Sequence, residues 1–302
     1  MTRFKQLIEK IKELEKKKIA VAVAEDEEVM AAVRQAQDEG ITEGILVGDT
    51  SKIEKIAADK NIPLDGFEII HETDHMAAAL KCCELIRKGR ASAIMKGLID
   101  TAKIMKAALN KEQGLNSGNL ISHVAILELE TYPKFLLLTD CGINIAPNLK
   151  EKVELIANAV RVAHSLDIET PLVACCAAVE KVNAQAMPAT ADAALLAKMC
   201  DRGQISGCIV DGPFALDNAI SEESARIKKI KSPVAGKADI ILGNDIETSN
   251  CLYKALLFLA KAKAGCVVAG AKAPIVLTSR ADSHETKYLS IVSALLCSED
   301  RQ

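Results

Sequence analysis

The chain has 302 residues, 49% apolar and 26% charged, with a net charge of −3 and a pI near 6.0. That balance is globular, long enough to bury a sizeable core in one large or two ordinary domains, and unsuited to general nucleic-acid binding. Trp is absent and aromatics make up 3%, which excludes base stacking or an aromatic sugar platform as a main mode of recognition.

Residues 1–18 are highly charged and lack the apolar centre of a signal peptide. Residues 19–24 read as a buried strand, 27–39 as a helix stopped by Gly40, and 44–48 as a second strand. A helix over 51–60 and a strand over 67–70 follow. Thr73 or Asp74 is placed to cap a helix that runs to Lys88. A strand over 93–96 and a helix from about Thr101 to Asn110 continue the alternation, which specifies a mostly parallel sheet covered by helices.

The rhythm breaks in the middle. Strands over 124–129 and 135–139 are separated by Tyr132-Pro133, too short a link for a helical crossover, so they are expected to run antiparallel. A domain boundary is expected near Ile121. Beyond it come a helix over 150–165, a strand over 172–176, a helix over 192–201, and strands over 207–211 and 239–242. A helix over 246–263, strands over 266–269 and 274–278, and a helix through about Leu296 complete the chain. No apolar run reaches the roughly 18 residues of a membrane span. Ten cysteines, including the adjacent pairs Cys82-Cys83 and Cys175-Cys176, follow no disulfide rhythm and no Cys-x-x-Cys, so they read as buried free thiols in a cytoplasmic protein.

His71-Glu72-Thr73-Asp74-His75 spells a zinc-protease motif, but its first histidine ends a strand and its Asp74 sits at a helix cap. The motif's two imidazoles must share one helix face, and these do not, so a loop and cap is the reading. The glycine-bounded run over 265–272 lacks the Gly-Lys-Ser/Thr of a P-loop and is followed by Ala273-Pro274, so a hairpin or strand-to-strand loop is expected.

Parallel sheets bind ligands beyond the carboxyl ends of their strands. Thr278-Ser279-Arg280-Ala281-Asp282-Ser283 lies at such an end and opens a helix. Helix N–H groups, a serine donor and a guanidinium fork suit a phosphate there. Asp282, Ser283 and Glu285 serve equally as helix caps. Asp140-Cys141-Gly142-Ile143-Asn144 is a second strand end, either a plain turn held by Asp140 or Asn144, or a cleft wall bearing Cys141 and Asn144. Met95-Lys96-Gly97 is a third, with Lys96 either solvated or facing the same rim.

These strand ends, in order, resemble the phosphate acetyltransferase and phosphate butyryltransferase family, and its butyryl branch most closely. The resemblance runs from Met95-Lys96-Gly97 through Ser122-His123, Asp140-Cys141-Gly142-Ile143-Asn144-Ile145, Ala189-Thr190-Ala191-Asp192 and Val210-Asp211-Gly212-Pro213 to Leu277-Thr278-Ser279-Arg280-Ala281-Asp282-Ser283. It implies a two-domain α/β fold similar to isocitrate and isopropylmalate dehydrogenases. The first domain would take 1–121 with a returning segment 270–302, the second 122–269, and the active site would lie in the interdomain cleft. It implies the reaction acyl-CoA + phosphate ⇌ acyl phosphate + CoA for a short acyl group, with coenzyme A as substrate. No metal and no tightly bound cofactor is implied, and neither nucleic acid nor membrane is a partner. A homodimer or larger assembly is implied. Residue by residue, Arg280 would hold the phosphoryl group and Ser279 would bond the reacting carbonyl. Lys106 falls where the acetyl branch has a phosphate-binding arginine. Lys96, Asp140, Cys141, Asn144 and Thr278 would line the substrates.

The family's base falls on Thr286, leaving Asp282 and Glu285 as rival carboxylates. Cys141 stands where the butyryl branch usually has glycine, and Ser249 also replaces a usual glycine. A silent CoA- or acyl-phosphate-binding protein, or a metal- and nicotinamide-dependent decarboxylating dehydrogenase, are the other classes compatible with such a fold.

Overall fold

The computed structural model describes residues 2–279 and 281–298. In chain order the elements are α1 (Arg3–Glu13), β1 (Lys17–Ala22), α2 (Glu27–Asp38), β2 (Thr42–Gly48), α3 (Thr50–Lys60), β3 (Glu68–His71), α4 (His75–Arg87), β4 (Ala93–Lys96) and α5 (Thr101–Ala108). There follow β5 (Ser122–Glu128), β6 (Leu136–Thr139), α6 (Leu149–Ser165), β7 (Leu172–Cys176), α7 (Pro188–Asp201), β8 (Ile209–Phe214), α8 (Leu216–Ile220), α9 (Glu222–Ile227) and β9 (Ile240–Leu242). The last are α10 (Ile246–Phe258), β10 (Lys263–Ala269), β11 (Ile275–Val276) and α11 (His284–Cys297).

The chain divides into two compact units, Met1–Asn119 with Ala264–Gln302, and Leu120–Lys263. In the first, strands run in the order β3-β2-β1-β4-β11-β10. All neighbours are parallel except the β11/β10 pair. Apart from the half-exposed edge strand β3, its strands are largely buried runs of Ile, Val, Leu and Ala, as two covered faces require. Helix α11 lies against α1, α2, β1, β4 and β11, and every residue from 286 to 296 is buried.

The second unit orders its strands β5-β6-β9-β7-β8. β5 and β6 are antiparallel, as their short link demands, and the others are parallel. Asn148 and Glu151 form a reciprocal capping box at the start of α6.

The zinc-protease letters resolve into separate elements. His71 is the last residue of β3, where its Nδ1 accepts the Thr50 N–H at 3.3 Å, while Asp74 caps α4 by accepting the Ala77 N–H at 2.8 Å. The run over 265–272 is a strand and turn, with Val268 opposite Ile275 in the antiparallel β10/β11 pair.

Several bounds differ from expectation. α1 was hidden by its charges, although Phe4, Leu7 and Ile11 bury one face at helical spacing. α7 begins at Pro188 rather than Asp192, because proline suits the first helical position, where an N–H has no partner. α10 stops at Phe258 rather than 263, and Lys261 in the left-handed region turns the chain into β10. β8 continues to Phe214, and β11 is confined to Ile275–Val276, so Thr278 lies beyond the ladder. No helix among the described residues is long and apolar enough to cross a membrane.

Burial sets a pH limit on this core. Tyr132 donates to the Ala238 carbonyl at 2.6 Å, and burial, with Asp239 and Glu222 nearby, pushes its phenol up to about 12. Burial pushes the Cys176 thiol up to about 12 as well. Both groups are neutral when folded, so their contribution is complete below the unfolded values and lost as pH rises through the folded ones. The thermal midpoint, measured with reductant present, is expected to fall between about pH 9 and 12, and Tyr132→Phe to flatten the upper part of that fall.

Candidate functional site

The three strand ends of the first unit are set by register. Ala22 of β1 lies opposite Lys96 of β4, and Met95 opposite Val276 of β11, so all three strands finish at one level. Beyond β4 the Gly97 and Leu98 N–H groups donate to the Ala22 and Val23 carbonyls at 2.9 and 2.7 Å. A side chain on Gly97 would meet the Val23 carbonyl oxygen at 2.0 Å, so only glycine fits this approach. Lys96 is buried, with its Nζ 3.4 Å from the Gly97 carbonyl.

Past β11, Thr278 is buried and Ser279 exposed. The Ser279 N–H donates to Asp282 Oδ2 at 2.8 Å, and the Asp282 N–H returns to the Ser279 carbonyl at 3.1 Å. Ser279 Oγ accepts the Ala281 N–H at 3.3 Å. Ser283 caps α11 by accepting the Thr286 N–H at 3.2 Å. Asp282 is 6% exposed, whereas Glu285 is exposed on the first turn of α11. Thr286, where the resemblance puts the base, is buried, and its hydroxyl lies 3.1 Å from Ser283 Oγ. Arg280 lies outside the described residues. Lys106 is exposed in the last turn of α5, and the structure records no ion pair for it among the described residues.

In the second unit the residues after β6 hold one another. Asp140, 2% exposed, accepts the N–H groups of Gly142, Ile143 and Asn144 at 2.7, 3.0 and 3.2 Å and the Asn144 side-chain amide at 2.6 Å. That amide also donates to the Ile121 carbonyl at 2.8 Å. Cys141 is buried, its Sγ 3.4 Å from the Leu138 carbonyl. The Asn250 amide donates to the Cys141 carbonyl at 2.8 Å. Ser249 Oγ bonds back to the Asp245 carbonyl at 2.8 Å and fills the space against Gly243, where a Cβ would lie 1.8 Å from it. The serine therefore stands in α10 without breaking the helix.

Sequence reasoning missed two features. Lys152 of α6 is buried and donates to Asp192 Oδ2 at 2.7 Å and Asn244 Oδ1 at 2.8 Å, in a pocket beside Cys175, Cys176 and Gly243. Residues spaced 40 and 92 apart leave no local signal of such a cluster. The other is Lys287 on α11, whose Nζ donates to the Asp282 carbonyl at 2.6 Å. A lysine in the first turn of an otherwise apolar helix was its only trace. Among the described residues no group of three or more His, Cys, Asp or Glu is placed to hold a metal ion.

Asp140, itself buried, satisfies four donors at once, so Asp140→Ala removes the acceptor that all four share. A loss of about 3 kcal/mol of stability is expected, read as a lower urea midpoint. Asn144→Ala, which frees fewer groups, should lose less.

The chain matches the family described as Phosphate acetyl/butaryl transferase over residues 3–81 and 74–295. It is 51% identical over 293 residues to the phosphate butyryltransferase of Clostridium acetobutylicum, covering 97% of each chain. It is 47% identical to the phosphate acetyltransferase of Thermotoga maritima, covering 91% of this chain and 93% of that one. A solved branched-chain phosphotransacylase from Enterococcus faecalis V583 shares the fold with a TM-score of 0.82 at 32% identity, over 93% of this chain and 98% of that one. The same α/β architecture and near full-length matches to both branches place the chain in the phosphate acetyl/butaryl transferase family, as a phosphate acyltransferase.

Proposed function

We propose that the chain exchanges a short acyl group, butyryl first among them, between coenzyme A and phosphate by direct attack of the CoA thiolate in a ternary complex. The observation that carries this reading is the turn after β11. Ser279 is exposed there, with its main-chain N–H pinned by Asp282 and its Oγ already accepting one bond. With that lone pair occupied, the hydroxyl proton is directed to an outside acceptor, the carbonyl oxygen that gains charge in the transition state. Arg280 takes the phosphate, which its planar fork matches.

A CoA thiol has a pKa near 8–9 and is mostly neutral at pH 7, so a carboxylate that takes its proton speeds attack. Thr286 has no basic group, and Asp282 is buried and committed to the Ser279 N–H. Proton removal is therefore assigned to Glu285, exposed on the same first turn. Lys96 and Lys106 add positive charge for the phosphates of CoA. The preference for butyryl over acetyl is supported by the higher identity to the butyryl relative. Reaction in a cleft between two domains, assembly as a homodimer or larger, and a cytoplasmic location are parts of the same proposal.

A thiol-release assay with acetyl-, butyryl- and branched acyl-CoA tests the reading directly. Release is expected only when phosphate is present and fastest for butyryl. Nicotinamide reduction, or binding without turnover, would point to the other classes. Arg280→Ala should lose at least about 10²–10³ in rate with its circular dichroism unchanged, and full activity in that folded variant refutes the site. Glu285→Gln should be slow at pH 7 and recover toward about pH 8.5, where the thiol ionises unaided. Asp282→Asn should keep the parent pH profile. If the two profiles are exchanged, Asp282 is the base.

A further inference from the structure

Lys287 carries charge into the most enclosed helix of the first unit. It is 3% exposed, within the stretch of α11 in which every residue from 286 to 296 is buried. A buried ammonium costs several kcal/mol unless it is paired. Among the described residues Lys287 has no carboxylate partner, and its Nζ donates only to the main-chain carbonyl of Asp282, at 2.6 Å. A lysine kept on these terms is poorly explained by stability, since an apolar side chain of similar volume would serve the helix better.

Its one contact leads to the candidate centre. The Asp282 residue whose carbonyl it holds also presents its carboxylate to the Ser279 N–H at 2.8 Å and donates its own N–H to the Ser279 carbonyl at 3.1 Å. Ser279 is thus fixed by Asp282, and Asp282 from beneath by Lys287. We propose that Lys287 is a positioning residue. Its ammonium holds Asp282, which in turn fixes Ser279, and its charge, with no carboxylate partner among the described residues, raises the positive potential where the anionic phosphate and the developing oxyanion are received. This rests on the phosphate acyltransferase centre assigned to Ser279. In a low-dielectric interior such a charge acts with little screening.

The test is a double-mutant cycle on the full chain. Lys287→Met and Lys287→Arg are assayed for phosphate-dependent release of CoA from butyryl-CoA, with and without Ser279→Ala, and their affinity for inorganic phosphate is measured by calorimetry. Lys287→Met should lower kcat about tenfold or more, leave the KM for butyryl-CoA within about threefold, and weaken phosphate binding about fivefold or more, while Lys287→Arg retains most of each. In the Ser279→Ala background Lys287→Met should add little further loss, because Lys287 acts through that serine. A purely structural lysine would lower the melting temperature and cut kcat by the same factor in both backgrounds, and that result overturns the proposal. So does a folded Lys287→Met with parental kcat and phosphate affinity. If Lys287→Met does not fold, Lys287→Gln carries the same cycle. Failure of the unsubstituted chain to release CoA with phosphate counts against the acyltransferase centre instead, and the calorimetric arm still decides for Lys287.

Discussion

The backbone contact at Gly97 governs the geometry of the edge at which the first unit's strands end. By bringing its N–H and that of Leu98 onto the Ala22 and Val23 carbonyls, the chain extends the β1/β4 pairing past the last residues of both strands. The approach is so close that any Cβ would collide with the Val23 carbonyl. β11 then adds on the other side of β4, parallel and in step. Three strands end together, and ligands of α/β proteins gather at such an edge. Lys96 and the turn holding Ser279 reach the same edge through this register, although they lie far apart in sequence.

The turn rests on the most firmly held helix of its unit. Leu289, Ile291, Val292, Leu295 and Leu296 of α11 are all buried, and each such side chain contributes about 1.5–3 kcal/mol. Next to a helix seated on that scale, Ser279 is tied by its N–H to the Asp282 carboxylate, and the Asp282 carbonyl is tied to the Lys287 ammonium of the helix itself. Position near a substrate is valuable in catalysis only when the supporting shell is rigid.

The α/β alternation was legible because buried parallel strands are short runs of β-branched residues and the helices between them carry caps, as Asp26, Asp49 and Asp74 show. The false metal motif was legible for the same reason: a strand before it and a capping aspartate inside it forbid one helix face for both histidines. α1 escaped because dense charge masked a three-residue apolar stripe. Asp140 was seen, but its role as a hub for four donors depends on the local backbone path, which no spacing encodes. Lys287 escaped because a lysine in a first turn is ordinarily solvated, and only the packing of α11 on its neighbours shows that this one is enclosed.

The thiols complete the chemical picture. Burial pushes Cys82 and Cys175 upward, Cys83 to about 11, and Cys176 and Cys208 to about 12. Cys141, the cysteine nearest to a candidate role, is buried with its sulfur against the Leu138 carbonyl. Thiolate, not thiol, is the nucleophile, so the five raised thiols are poor rivals for an activated acyl group. The second unit reinforces the division. Asp140 and Asn144 spend their polar groups on their own loop and on Ile121, and Lys152 spends its charge on Asp192. The first unit instead keeps an exposed serine tied by its N–H to Asp282 and a buried lysine that has no carboxylate partner among the described residues. Of these two, the exposed serine is the group the fold leaves open to solvent.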